Sequence, residues 1–323
     1  MTDADADGRT AGVPEREQLL TALRPVAFGI AYRMLGSVTE AEDVVQEALL
    51  RVHRALEGGE QIASPRAFTA TVTTRLAMDE LRSARVRRER YVGDWLPEPV
   101  LTEGSGEDPA RAAETADSLS MALLVLLESL SPEQRAVLLL HDVFGYGYGE
   151  VATIVGKAEA NVRQLAVRAR RHVEERRPRF TTSRKQQSEL ASRFFAAART
   201  GDLAGLEALL THDVELVGDG GGKAPSLARS QRGRSRVAHT LTNWLRALRR
   251  LPEMEIRLTE VNGDPGALFL VEGRLLAVWA LDVVDGQVAG VRAVVNPDKL
   301  VHLGPVGDAY ALVRRMGGAR PGG

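Results

Sequence analysis

The side chains best suited to reading the edge of a base pair fall in one short segment, Arg163-Gln-Leu-Ala-Val-Arg168. Arginine and glutamine make paired hydrogen bonds to guanine and adenine, and a valine can touch a thymine methyl. Spacings of one, four and five put Arg163, Gln164, Val167 and Arg168 on one face of a helix. Val162, Leu165, Ala166 and Ala169 take the opposite, apolar face. Just upstream, the stretch from Glu150 reads as a shorter helix that ends at Gly156, where a tight turn needs positive φ. This is the rhythm of a helix-turn-helix, whose second helix enters a major groove. The plainer alternative is an αα-hairpin with a solvated basic face. Arg170, Arg171, Arg176 and Arg177 would meet phosphates and carry no sequence information.

A second basic element joins Phe68, Arg75, Asp79, Arg82, Arg85, Arg87 and Arg88, an aromatic-plus-arginine pattern suited to stacking and backbone neutralisation on a single strand. Five arginines lie in Arg82–Arg90 and seven in Arg163–Arg179, within a chain whose formal net charge is −1. Two separate basic clusters in a neutral chain suggest two contacts with a polyanion. On a helix beginning near Thr39, Val44, Val45, Ala48, Leu49 and Val52 form an apolar stripe. Asp43, Gln46, Glu47 and Leu50 form a separate face, which alone is weak evidence of a partner because most such faces are merely solvated.

Other chemistries find less support. The chain has no cysteine, which excludes disulfides, thiol nucleophiles and thiolate zinc sites. His212, Asp213, Asp219, His239 and Asp282 could supply an acid–base pair, yet none forms a spacing that marks a dyad. Asp219-Gly-Gly-Gly-Lys223 suggests a phosphate cradle, but alanine and proline follow Lys223 where the phosphate-loop motif needs Ser or Thr and a helix. No catalytic residue, metal or cofactor is expected, and the chain does not read as an enzyme.

These side chains must be positioned by at least three folded blocks, which 323 residues can supply. Residues 1–15 read as a disordered acidic tail. From 16 to 90 the apolar positions recur at helical spacing, with helix starts at Ser37-Val-Thr-Glu40 and Ser64-Pro65. A second all-helical block covers 118–178 and contains the capping pattern Ser131-Pro-Glu-Gln134. After Pro178 the pattern becomes α+β. A helix near Lys185–Arg199 precedes strands over Val214–Val217, Met254–Val261, Ala267–Val271, Leu275–Val284 and Val288–Val295, with a type I′ turn at Asp285-Gly286. This predicts a curved antiparallel sheet with helices over 186–303, followed by a flexible tail over 304–323. Hydrophobic content of 44% and charged content of 26% suit a soluble protein. No apolar run reaches the roughly 18 residues of a membrane span, and no secretory signal opens the chain. A cytoplasmic location is expected, with no membrane partner.

Between the helical blocks, within the 91–117 linker, lies Tyr91-Val-Gly-Asp-Trp-Leu-Pro-Glu-Pro99. Its aromatic pair and two prolines belong to a segment that docks and holds one shape, since proline fixes φ and aromatics bury large areas. Asp219-Gly220-Gly221-Gly222-Lys223 and Asn296-Pro297-Asp298-Lys299-Leu300 are candidate receivers for Tyr91, Trp95 and Leu96.

Residues 16–90 resemble domain two of a bacterial sigma factor, and 118–178 resemble its domain four. With no large domain between them, the pair is similar to the extracytoplasmic-function group. Residues 186–303 resemble a SnoaL-like cone. With YVGDWLPEP, DGGGK and NPDKL all present, the chain is identified as a member of the sigma-factor group with a fused C-terminal SnoaL-like extension. The resemblance implies two all-α sigma domains followed by an α+β cone, and partners in RNA polymerase core enzyme and promoter DNA. It implies that Asp43, Gln46 and Glu47 dock on core polymerase and that the element over 66–90 recognises and helps open the −10 element. The helix matching 159–173 would read the −35 element, and the extension would regulate these domains in cis. Arg75 departs from the pattern, because many relatives carry Asn there. The alternative is a helix-turn-helix regulator fused to a ligand-binding or catalytic cone. A small-molecule ligand of the cone has no identity in the sequence.

Overall fold

The computed structural model describes residues 13–102, 119–174, 184–251 and 253–318. Expectations for the N-terminal tail before Val13, for 103–117 of the linker, for Arg176 and Arg177 and for 319–323 of the C-terminal tail fall outside the described residues. The chain divides into two compact units, one of Met1–Val86 with Ser129–Glu175 and one of Arg87–Glu128 with Arg176–Gly323. Among the described residues no helix is long and apolar enough to cross a membrane.

In the first unit, α1 (Val13–Leu35) ends where Gly36 takes a φ of 67°. Ser37 then caps α2 (Val38–Glu57), its hydroxyl accepting from the Glu40 amide at 3.1 Å. That bond satisfies one of the donors a helix start leaves open. The apolar stripe of α2 turns inward, burying Ala41, Val44, Val45, Ala48 and Val52 against neighbours that include α1. Ser64 caps α3 (Pro65–Arg88) through the Ala67 amide. The last two residues of α3 and all of α4 (Met121–Leu127) belong to the second unit.

Ser131 and Gln134 form a reciprocal capping box at the start of α5 (Pro132–Leu138). A π-turn over Leu139–Val143 leads to α6 (Tyr148–Val155), and Gly156, at φ 67°, separates it from α7 (Glu159–Glu174). Val162, Ala166 and Ala169 of α7 are buried, so the expected apolar face is the one packed inward.

The second unit contains α8 (Arg184–Thr200), α9 (Leu203–Leu209), β1 (Leu210–Asp219), β2 (Gln231–Arg232), α10 (Arg234–Leu248), β3 (Met254–Val261), β4 (Asp264–Val271), β5 (Arg274–Val284), β6 (Gln287–Val294) and α11 (Ala309–Gly318). The strands form one sheet in the order β2-β1-β6-β5-β4-β3. Three two-residue turns close the meander: Asn262-Gly263, Glu272-Gly273 and Asp285-Gly286. All six turn residues have positive φ, the type I′ geometry whose twist matches the strands it joins.

Two expectations are corrected. The sheet is mixed, because β1 pairs with β6 in parallel. After β1 the chain passes β2 and α10 to the far edge at β3, and three reversals bring β6 back in the direction of β1. The 304–323 segment also contains a helix, α11, whose Leu312 is buried with Leu251, Val271 and Leu276.

Strand side chains alternate between faces, and both faces of this sheet are used. Leu216, Trp279, Leu281 and Val291 meet α8, α9 and α10 in the main core. Val217, Val278, Ala280 and Val294 form a second cluster on the other face, where Leu96 and Met121 join them. This face is covered by Leu96 of the connector and Met121 of α4 together with the second unit's own Leu300 and Leu303.

Candidate functional site

The centre of the site is the carboxylate of Asp219, fully buried at the end of β1. It accepts from the Tyr91 hydroxyl at 2.6 Å, the Leu96 amide at 2.8 Å and the Lys299 ammonium at 2.7 Å. Two of these donors come from the connector and one from the NPDKL turn. Asn296 completes the ring: its side-chain amide donates to the Tyr91 hydroxyl at 2.7 Å, and its backbone amide donates to the Asp219 carbonyl at 2.9 Å. Lys299 also donates to the Leu96 carbonyl. Its ammonium lies 4.2 Å from the Trp95 ring centre and 4.8 Å from that of Tyr91. Arg88 stacks on Trp95 at 3.8 Å and pairs with Glu128.

Local backbone rules explain the two loops. Gly221 has a φ of 57°, and a Cβ there would collide with the Asn296 amide nitrogen and sit 2.7 Å from the Tyr91 oxygen. Only glycine lets the DGGGK turn pass so close to both groups. Gly222, at φ 72°, faces Val92. A Cβ on Gly220 would collide with the Ala224 carbonyl. The Asn296 side chain accepts from the Asp298 amide, with Pro297 at the first position of a 3-10 turn over Pro297–Lys299. Asp298 pairs with Lys223 at 2.5 Å, tying the two loops together at the surface.

Burial and charge oppose each other at this ring. Burial pushes the Lys299 ammonium below the ordinary lysine range, and Asp219 pulls it back part of the way. Burial also pushes the Tyr91 phenol up, and its bond to Asp219 adds to that shift. At neutral pH the ring holds a neutral phenol, because a carboxylate acceptor favours the protonated donor.

Further along, the connector becomes a strand-like addition to the sheet edge. Asn262 and Val100 exchange two bonds, Asn262 N to the Val100 carbonyl at 2.8 Å and Val100 N to the Asn262 side chain at 2.9 Å. The Thr102 amide donates to the Glu260 carbonyl, and Leu101 bridges Val261. His302 contacts the Pro99 carbonyl at 2.8 Å. Sequence reading missed Asn262, Glu260, Thr102 and His302. The one available signal was the Asn-Gly pair at 262–263, which marks a type I′ turn but gives no sign that its side chain also receives the connector.

In the first unit, Gln164, Val167 and Arg168 are exposed on α7, and Val167 keeps 62% of its surface open. Arg163 is exposed beside them, paired with Glu159 at 2.6 Å and stacked over Tyr148 at 4.4 Å. Arg170 is differently engaged: Asp142 and Tyr148 clamp it at 2.9 and 3.1 Å, and the Asp142 bond raises its already high pKa.

On α3, Arg75 donates to the Ile154 and Thr153 carbonyls at 2.9 and 3.0 Å, occupying the C-terminal end of α6. Arg82 bridges Asp79 and Glu133. Of the arginines assigned to single-strand contact, these two and Arg88 are therefore held by protein groups in this structure. The side chains of Arg85 and Arg87 lie outside the described ones. On α2, Asp43 and Gln46 are exposed, and Glu47 pairs with Arg51 at 2.7 Å.

The acid–base candidates do not converge. His212 and Asp213 are exposed, and His239 contacts the Ser235 carbonyl of its own helix. Asp282 pairs with Arg292 at 2.8 Å, both largely buried. Burial alone would lower the Arg292 pKa, but Asp282 outweighs it and raises it.

Together these features define a DNA-binding protein with a helix-turn-helix reader, whose connector is fastened to a fused α+β module. The Sigma-70 region 2 family model matches residues 19–87, and the model described as Sigma-70, region 4 matches 120–173. The ECF RNA polymerase sigma factor SigJ of Mycobacterium tuberculosis is 40% identical over 287 residues, spanning 86% of this chain and 91% of SigJ. The probable ECF RNA polymerase sigma factor SigI of the same species is 32% identical, with 86% and 92% covered. The crystal structure of M. tuberculosis SigJ matches with a TM-score of 0.69 at 37% identity, covering 87% of this chain and 96% of that one. The chain belongs to the extracytoplasmic-function family of RNA polymerase sigma factors. The resemblance carried by its three motifs holds, and its C-terminal module is the SnoaL-like cone which they imply.

Proposed function

We propose that this sigma factor directs RNA polymerase core enzyme to specific promoters in the cytoplasm, and that its cone controls this activity in cis by holding the connector. Asp43, Gln46 and Glu47 form the surface offered to core polymerase. Arg163, Gln164, Val167 and Arg168 read the −35 element, and α3 engages the −10 element once Arg75 and Arg82 are released from their protein partners. Base opening costs a few kcal/mol, which stacking and charge contacts along α3 offset.

The observation that carries the regulatory reading is the buried Asp219 carboxylate, which takes two of its three donors from the connector. Among the described donors, Lys299 alone would remain to this charge without the connector. A docked and an undocked connector are therefore distinct states, and a partner that binds one better shifts the balance between them. The cone acts by holding rather than by turnover. In support, Asp219 and Asp282 are committed to cationic partners, and His212 and His239 pair with neither.

Transcription in vitro with core polymerase tests the reading. Full-length protein is compared with a chain ending near Arg179 and with Asp219→Ala/Lys223→Ala. Output is expected to change in both. Identical output from all three proteins would remove cis control while leaving sigma activity standing.

A further inference from the structure

The first residue of α6, Tyr148, reaches two arginines of α7 with different parts of its side chain. Its hydroxyl accepts from Arg170 at 3.1 Å, and its ring lies under the Arg163 guanidinium, whose carbon is 4.4 Å from the ring centre. His141 of the π-turn stacks on the same ring, with centres 4.0 Å apart and planes inclined by 23°. A ring has two faces, so the imidazole and the guanidinium take one each. The imidazole is itself anchored, because its Nδ1 meets the Tyr146 carbonyl at 2.7 Å and a carbonyl can only accept. The start of α6 is fixed as well, since the Gly147 amide donates to the Glu150 carboxylate at 2.8 Å.

A base edge asks two things of an arginine. Paired hydrogen bonds need the planar guanidinium in one plane and turned by one edge toward the base. Glu159 restrains the edge: one of its oxygens accepts from both Nε and Nη2 of Arg163, at 3.0 and 2.6 Å. That pair does not fix the plane, because the two side chains keep 58% and 48% of their surface open and exposed pairs are loose. The Tyr148 ring supplies the plane, since a guanidinium is attracted to an aromatic face and stacks on it. Together the two restraints remove much of the rotamer freedom of Arg163 before DNA arrives, and such preorganisation lowers the cost of binding.

We propose that Tyr148 is a positioning residue that sets promoter specificity through Arg163, holding its guanidinium in the plane required to read a base of the −35 element. This role rests on Arg163 reading a base, as proposed above. The ring carries the effect, and the hydroxyl serves the separate clamp on Arg170.

Binding of RNA polymerase holoenzyme to fluorescent promoter DNA, with each −35 base pair changed in turn, tests this role on the full-length chain. Arg163→Ala is expected to relax preference at one position, which identifies the base pair that Arg163 reads. Tyr148→Leu removes the ring but keeps apolar bulk and good helix propensity. It should relax preference at that same position by roughly threefold and leave the other positions unchanged. Added to Arg163→Ala, it should relax that position no further, because the two residues act as one unit. Tyr148→Phe, the conservative variant, should restore the preference of the unsubstituted chain and show only a lower melting temperature, from loss of the Arg170 bond. In the free protein, nuclear Overhauser contacts should join the Tyr148 ring to the Arg163 side chain; their absence overturns the stack whether or not any variant folds. Should Tyr148→Leu fail to melt cooperatively, Tyr148→Met replaces it under the same expectations. An equal loss of affinity for all sequences in Tyr148→Leu, or equal relaxation in Tyr148→Phe, overturns the positioning role while base reading by Arg163 stands. If Arg163→Ala relaxes no position, base reading and the positioning role fall together.

Discussion

The Tyr91 hydroxyl and the Asp219 carboxylate meet at 2.6 Å, although 128 positions separate them in the chain. A phenol donating to a buried carboxylate makes a strong, charge-assisted bond, and here it joins the connector of a sigma factor to its fused cone. The same carboxylate neutralises Lys299, so docking of the connector and solvation of a buried charge are one event.

Asp219→Asn should therefore cost more than the loss of one hydrogen bond. Lys299 is only 6% exposed at its side chain and would lose the counterion that offsets its burial. Breaking one side of a buried pair typically costs about 3–5 kcal/mol. Asp219→Asn/Lys299→Met should recover much of that loss, because both charges are gone. Urea unfolding of the single and double variants measures the coupling. Strict additivity of the two single changes would show that the pair is not coupled.

Gly221→Ala separates backbone strain from steric exclusion of the connector. Both Gly221 and Gly273 have positive φ, 57° and 71°, but only Gly221 faces Asn296 and Tyr91, whereas a Cβ on Gly273 meets nothing within 4 Å. Alanine at Gly273 should cost about 1 kcal/mol of strain alone. Alanine at Gly221 should cost more and should also raise amide exchange at Leu96. Equal effects on Leu96 exchange from the two variants would argue against contact between this loop and the connector.

The Tyr91 phenol gives the grip a pH limit. Its folded-state pKa is raised, by burial first and Asp219 second, above the ordinary tyrosine value of 10.0. The unfolded chain therefore loses this proton first as pH rises, which makes the stabilisation complete below pH 10.0 and progressively lost above it. Lys299 works in the opposite sense: its lowered pKa means that its contribution is present above the ordinary 10.5 and falls away as pH drops through the folded value. Tyr91→Phe should remove the alkaline loss and leave the lysine gain. Thermal melts of both proteins across pH 9 to 11 check this, and parallel profiles would exclude the phenol as the source.

The proposed polymerase surface on α2 predicts a loss of binding with little loss of fold. Asp43 and Gln46 are exposed, and the Glu47–Arg51 pair is solvent-accessible on both sides. Exposed i,i+4 pairs contribute only about 0.3–0.5 kcal/mol. Alanine at all three positions should keep stability within about 1 kcal/mol and reduce co-purification with core polymerase. Full retention on core would exclude this face.

Legibility differed along the chain for physical reasons. Ser37, Ser131, Gly156 and the Asp285-Gly286 turn are short-range devices, and short-range rules locate them. The receivers of the connector could be singled out as motifs because Gly221 and Asn296 belong to loops with unusual backbone demands. Other features depend on which strand lies beside which. The parallel pairing of β1 with β6 follows from a crossover that no local pattern records. Glu272-Gly273 closes a type I′ turn with glutamate at φ 51°, a residue with no preference for that region. Arg75 and Arg88 look like nucleic-acid ligands by type, and only tertiary packing shows that a helix end and an indole ring occupy them. Met121 opens a helix that reads as part of the second sigma domain but packs with Leu96 on the sheet.

The recognition face of α7 makes the last prediction, in which neighbouring arginines should behave differently. Arg163, Gln164 and Arg168 project from the exposed side, whereas Arg170 is clamped by Asp142 and Tyr148. A side chain reading a base edge typically contributes about 1–3 kcal/mol of discrimination, while a phosphate contact weakens all sequences alike and lowers the salt slope by about 1. With holoenzyme and fluorescent promoter DNA at several salt concentrations, Arg163→Ala and Gln164→Ala should relax preference at single −35 positions with the salt slope little changed. Arg170→Ala should leave both preference and slope nearly intact and instead lower the melting temperature, because it removes a clamp between α7 and the turn before α6. A change in base preference from Arg170→Ala, with none from Arg163→Ala, would reverse the assignment of the two faces.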